Sequence, residues 1–302
     1  MTDPAPDDEM FETRARRDEK AEARLADCLA VASGSISPRG LNVRNSQFLS
    51  SDRLPLLARI GRPDGVCLVG GQSVGLWAAV LDPSGEFLAR HMPFTTSDID
   101  YFGDLAAARR FSESVGGTLF RPSADTMNSN STALVRAPVG QETMTVDFLH
   151  AIIGVERREI EKGTLELDIP DGSGNSVAIP VLHPILVMRS RIANMLSAAT
   201  MRRDAISYNQ ARAAIGIVRL WADRCIAIGD QGEAMKTITA CVSHATVDRY
   251  GKRALRDLGI DQLEAVRDFQ QDLRLDGRWR MMTLAPRIAE CEDRRSRADL
   301  RG

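Results

Sequence analysis

The chain has no apolar run long enough to span a bilayer, which excludes a transmembrane helix. Met1 to Asp8 is acidic and lacks the basic and apolar regions of a secretory leader, so the expected compartment is the cytoplasm, with no membrane partner. Cysteine is sparse: Cys28, Cys67, Cys225, Cys241 and Cys291 are odd in number, scattered, and never spaced Cys-x-x-Cys. That pattern argues against a disulfide framework or a zinc site and fits a reducing compartment. The four histidines (His91, His150, His183, His244) form no metal-ligand spacing and read as surface or satisfied polar groups, with His150 the one closest in sequence to a carboxylate of interest. A net charge of −2 excludes a broadly basic nucleic-acid-coating surface, so any basic site must be local. Internal repeats and low-complexity segments are absent as well.

A length of 302 residues with 43% apolar and 26% charged side chains is ordinary for a globular protein and allows two hydrophobic cores. The expected organisation is α+β: N-terminal helices over 1–60, a small mixed-sheet domain over 61–183, and a mainly helical domain over 184–302. In the first part, Glu9 to Ala32 is rich in helix formers, with Leu25, Cys28, Leu29 and Ala32 on one stripe, and reads as a packing arm.

The chain is organised around Val66 to Phe102. Val66 to Val69 reads as a buried strand, Gly70-Gly71 as a turn, Gln72 to Leu81 as a helix, and Asp98-Ile99-Asp100 as part of a second strand. Two glycines at the strand end let backbone approach a ligand without a Cβ in the way, and the following helix start favours an anion such as phosphate. Side chains alternate along a strand, so Asp98 and Asp100 share one side while Ile99 faces the core; paired carboxylates suit a hard divalent cation, Mg²⁺ first. Trp77 reads as a core residue of the helix. The segment 82–94, with Pro83, Gly85 and Pro93, lengthens the gap between glycines and carboxylates and is expected at the rim of the site.

Further along, Asp104 is expected to cap a helix ended by Gly116-Gly117, followed by strands at Thr118 to Phe120, Ala133 to Ala137 and Thr143 to His150. In the last of these, Val146 and Phe148 face the core, which turns Asp147 toward the side that carries Asp98 and Asp100. Thr164 to Asp168 and Ser176 to Val181 read as a hairpin at the domain edge. A helix starts at His183-Pro184, and helical stretches are expected at Glu233 to Tyr250, Gln262 to Leu273 and Arg278 to Arg297. Between Pro184 and Gly229, seven arginines (Arg189, Arg191, Arg202, Arg203, Arg212, Arg219, Arg224) outnumber two acids, a basic zone that the whole-chain charge conceals.

Gly70-Gly71-Gln72-Ser73, then Thr96-Ser97-Asp98-Ile99-Asp100, then Asp147 in Thr145-Val146-Asp147-Phe148-Leu149, resembles the signature of the DNA polymerase β-like nucleotidyltransferase superfamily. With Trp77 it looks most like the bacterial AbiEii-type group of toxin–antitoxin and phage-defence settings. The resemblance covers roughly residues 60 to 230 and implies transfer of an NMP from an NTP, ATP among them, to a hydroxyl. Asp98, Asp100 and Asp147 would be the catalytic and metal-binding carboxylates for two Mg²⁺ ions, and Gly70, Gly71 and Ser73 would hold phosphates. Arg191 falls in the register of a lysine that meets the triphosphate in that group, whereas the group's later lysine–aspartate motif is matched only loosely by Arg203-Asp204. The implied acceptors are an RNA 3′ end, typically tRNA, a protein hydroxyl or a small molecule, and the implied partner is a cognate antitoxin protein. The alternative is a catalytically silent nucleotidyltransferase fold acting as a binding or antitoxin-like partner. A further possibility is that Asp98 and Asp100 are an acidic pair in an unrelated α/β domain.

Overall fold

The computed structural model describes residues 66–299 apart from 83, 92–98, 123–129, 140–141, 171–175, 199 and 201–203. The expected N-terminal helices and Asp98 lie outside the described residues. The strands are β1 (Cys67–Val69), β2 (Ile99–Phe102), β3 (Thr118–Phe120), β4 (Ser131–Val139), β5 (Glu142–Leu149), β6 (Thr164–Pro170) and β7 (Ser176–Leu182). They form one seven-stranded mixed sheet in the order β3-β4-β5-β2-β1-β7-β6. β1 runs antiparallel to β2 and parallel to β7, and β2 runs parallel to β5. The hairpin β6–β7 therefore contributes more than an edge: β6 is the outer strand, and β7 is bonded directly to the central strand.

Alternation places Ile99 and Tyr101 of β2 and Val146 and Phe148 of β5 on one buried face. The helix α3 (Leu105–Val115) closes it with Phe111, whose ring lies 6.4 Å from Tyr101 and 5.7 Å from Phe148. As expected, Asp104 caps that helix by accepting the Ala107 N–H at 2.8 Å, and Gly116 ends it in the left-handed region at φ 64°.

Between β1 and β2 run α1 (Gly70–Leu81) and α2 (Glu86–Arg90), and after β5 comes α4 (Arg157–Lys162). The helical half consists of α5 (Pro184–Leu196), α6 (Ala205–Ala227), α7 (Gln231–Val247) and α8 (Gly251–Leu258). A last helix passes from a turn at Gly277–Trp279 through a π-helical stretch at Arg280–Leu284 into α9 (Ala285–Asp299). Proline occupies the first turn of α5, and Ile185, Met188, Ile192 and Met195 are all buried, as their spacing predicts. Sheet and helices share one continuous apolar core across the 183/184 boundary. Its hinge point is Trp77, fully buried, with its indole N–H donated to the Leu182 carbonyl at 2.9 Å and its ring edge-on to Trp221 at 5.1 Å. Burial of a side chain this large stabilises by on the order of 3 kcal/mol, and Trp77 is core, as its helical spacing predicts.

Two segments differ from expectation. Instead of one helix over Gln262 to Leu273, two 3₁₀ turns (Gln262–Ala265 and Arg267–Gln270) are separated by Val266 at φ −129°, ψ −11°. Val266 is fully buried, and Arg267 and Arg295 grip Asp261 at 2.9 and 2.7 Å, so packing and ion pairing override helix propensity there. The helix α4 carries no periodic pattern because only Ile160 is buried along its six residues; a reciprocal Glu156–Glu159 capping box starts it.

Candidate active site

Three of the expected site positions, Gly70, Asp100 and Asp147, come together at the centre of the sheet. Val69, at the end of β1, is paired with Asp100 of β2, and Asp100 is paired with Asp147 of β5. Partners on neighbouring strands point to the same face roughly 5 Å apart, so the Asp100 and Asp147 carboxylates lie side by side, on the face opposite Tyr101 and Phe148. The alternation argument for Asp147 is therefore matched by the register.

Gly70 follows directly, at φ +70°, and α1 begins on it rather than on Gln72. A Cβ built on Gly70 would stand 2.0 Å from Asp100 Oδ2 and 2.8 Å from its Cγ. The glycine is thus required twice: its backbone angle is one that side-chain-bearing residues rarely adopt, and the absent Cβ is the room in which the carboxylate sits. Gly71 is buried behind it, and Ser73, also fully buried, donates its hydroxyl to the Gly70 carbonyl at 2.8 Å. Ser73 therefore holds the turn in shape in this structure rather than presenting its hydroxyl outward.

Asp147 accepts a short hydrogen bond from the Ser131 hydroxyl at the start of β4. Ser131 was invisible as a site residue in the sequence because a lone serine beside a loop carries no periodic or motif signal; the β4–β5 pairing, with a register shift between Ser131 and Ala133, brings it to the carboxylate. Asp100 and Asp147 could together contribute to a cation site. Among the described residues no group of three or more His, Cys, Asp or Glu side chains is arranged to hold a metal, and Asp98, the third expected donor, lies outside them. The nearby nucleophile candidates are muted: burial pushes the Cys67 thiol up to about 12, against a lowering hydrogen bond with Thr164, and burial also raises the Tyr101 phenol. Cys67 therefore offers no thiolate here.

The basic zone resolves into separate jobs. Arg189 grips Glu159 through Nη1 at 2.6 Å and Nη2 at 3.1 Å, and donates to the Gly154 carbonyl at 3.0 Å, a structural clamp between α5 and α4. Arg191 lies on α5, which packs against α1, and its Nη1 donates to Gln210 Oε1 of α6 at 3.3 Å. Asp204 caps α6 by accepting the Ser207 N–H at 2.8 Å, while Arg202 and Arg203 lie outside the described residues. Arg219 pairs with Asp268 at 2.8 Å. Of the histidines, His183 is buried: its Nδ1 accepts the Ile185 N–H at 3.2 Å, which leaves the proton on Nε2 to bond Glu233 at 3.1 Å. His150 is exposed just past the end of β5.

No protein-family model matches this chain, and no curated protein matches it.

Proposed function

We propose that the protein is a Mg²⁺-dependent nucleotidyltransferase that moves an NMP from an NTP to a hydroxyl acceptor. The observation that supports this reading best is the closeness of Gly70 to Asp100, with Asp147 in register beside it. A left-handed glycine opening a helix against a carboxylate brings bare backbone and acidic oxygens to one point, which is what a metal-bound triphosphate needs.

The donor set fits the ion by its chemistry, because carboxylate oxygens on one face suit a hard divalent cation. Asp98, Asp100 and Asp147 would hold two Mg²⁺ ions, which when bound would neutralise the triphosphate and stabilise the attacking and leaving oxygens. The chain's own contributions follow from placement. Gly70 and Gly71 leave the approach to the phosphates clear of side chains. Asp147, steadied by the Ser131 hydroxyl, accepts the proton of the acceptor hydroxyl. Arg191 balances the charge of the departing pyrophosphate. The acceptor we favour is an RNA 3′ end, tRNA foremost, in a toxin or defence setting with a cognate antitoxin in the cytoplasm.

Ser73 supports a second reading. Its hydroxyl is committed inward to Gly70, as would suit a silent relative that serves as a binding or antitoxin-like partner. Incubation with each labelled NTP, Mg²⁺ and total RNA, followed by separation of RNA, protein and small-molecule label, separates the two. Label that is lost in Asp98→Ala and Asp100→Ala supports the enzyme and names its acceptor; absence of label with every NTP, and of any Mg²⁺-dependent thermal shift, supports the silent partner.

A further inference from the structure

Away from the carboxylates, two adjoining cavities of about 510 and 490 Å³ open between α2 and α6 and share Arg90, His91, Arg212, Gly216 and Arg219 in their walls. The cleft is built, not incidental. The α2 segment is anchored at its start by Asp82, whose carboxylate accepts the Phe87 N–H at 2.6 Å. Phe87 then seats its ring against α6 where Gly216 has no side chain; a Cβ there would meet Phe87 Cε2 at 2.5 Å. His91 bonds the Phe87 carbonyl through Nδ1 at 2.9 Å, which makes that nitrogen the donor, and its ring lies 4.4 Å from the Phe87 ring. Arg90 and His91 are thereby held opposite Arg212.

The wall carries more positive than negative charge among the described residues, with the Asp82 carboxylate near enough to act on Arg90. Arg219 is engaged by Asp268, but Arg90 and Arg212 have no ion pair among the described residues. At the far end of the second cavity Asp261 is already gripped by Arg267 and Arg295, and Glu264 is exposed. Burial holds His91 below the ordinary imidazole range, and the Arg212 and Arg90 charges push it the same way. Both guanidiniums line the same two cavities and lie near enough to His91 to act on it.

We propose that this cleft binds a phosphate group of a nucleotide-sized ligand, with Arg90 and Arg212 as paired guanidinium donors. Paired guanidinium planes match phosphate geometry better than ammonium groups do, and each cavity falls within the roughly 300–1,000 Å³ of small-molecule sites, more than a bare anion requires. The phosphate can belong to a free nucleotide or to a strand of RNA. The proposal stands apart from the nucleotidyl-transfer reading, since none of these residues is among the carboxylates or glycines of the sheet.

The test is equilibrium binding by the full chain in EDTA, so that no metal-dependent site contributes, with three probes: inorganic phosphate, ATP, and a labelled single-stranded oligoribonucleotide. At least one probe is expected to bind, about tenfold more weakly after Arg90→Ala or Arg212→Ala and more so in the double variant. Gly216→Ala, which removes no charge but displaces Phe87 and α2, is expected to weaken binding as well, with folding verified by circular dichroism. Binding of ATP alone assigns a free nucleotide, and of the oligomer alone a strand. Absence of binding for all three probes, or equal affinity in the double variant, overturns the proposal.

Discussion

Gly70 has no side chain, and Asp100 places its carboxylate where one would be: Oδ2 lies 2.0 Å from the position a Gly70 Cβ would take. Gly70→Ala must therefore either push Asp100 aside or break the turn, on top of the cost of a positive φ. We expect it to lower unfolding free energy by about 1–3 kcal/mol in denaturant titrations. Loss of nucleotidyl transfer should exceed what that destabilisation explains, because the carboxylate is displaced even in folded molecules.

Asp100→Asn keeps the shape of the side chain and removes its charge. Transfer should fall by roughly two to three orders of magnitude, while the melting temperature without Mg²⁺ should change less than in Gly70→Ala, because the side chain keeps its shape. Calorimetry paired with the labelled-NTP assay checks both, and full activity in this variant would rule out the assigned role.

Arg189 and Arg191 sit two positions apart on one helix and should behave differently. Arg189 holds Glu159 and the Gly154 carbonyl with its side chain only 21% exposed. Arg189→Ala is expected to cost about 1–3 kcal/mol of stability, discounted toward the lower end for the solvent that reaches Glu159, and to leave turnover per folded molecule intact. Arg191→Ala should do the reverse, lowering turnover with NTP more than stability. Urea unfolding and single-turnover rates on both variants separate the two roles.

His183 is held below the ordinary imidazole range by burial, which the neighbouring Glu233 only partly opposes. The unfolded chain then binds the proton more readily than the folded one, so this contribution is complete above about pH 6.5 and is eroded as pH falls through that value toward the folded pKa. His91 acts in the same sense. Asp248 and Asp261, whose carboxyls are lowered in the fold, lose their contributions only below about pH 4. His183→Gln should flatten part of the stability slope between about pH 7 and 5 and leave the acid limb unchanged, as measured by denaturant midpoints across that range.

Local chemistry made much of the fold legible. Asp104 and Gly116 delimit α3 because a capping carboxylate and a left-handed glycine act within a turn of the backbone they serve. Period-two alternation in Val146, Asp147 and Phe148 and helical spacing in Ile185, Met188 and Ile192 likewise need no distant partner to be read. What propensity could not convey was where long-range packing prevails, as at Val266, or where a helix such as α4 is too short to leave a pattern.

The candidate site divides along the same line. The sequence by itself determined which residues bring carboxylate and bare backbone to the strand ends: Gly70, Asp100 and Asp147, each set by alternation or by a turn. Only the tertiary structure decided that β2 and β5 lie side by side with Asp100 and Asp147 in register, that Ser131 reaches Asp147, and that Ser73 turns inward. It alone separates the arginines into a clamp at Arg189, an ion pair at Arg219 and a cleft between Arg90 and Arg212. Strand order and helix packing are set by contacts between residues far apart in the chain, and no local periodicity encodes them.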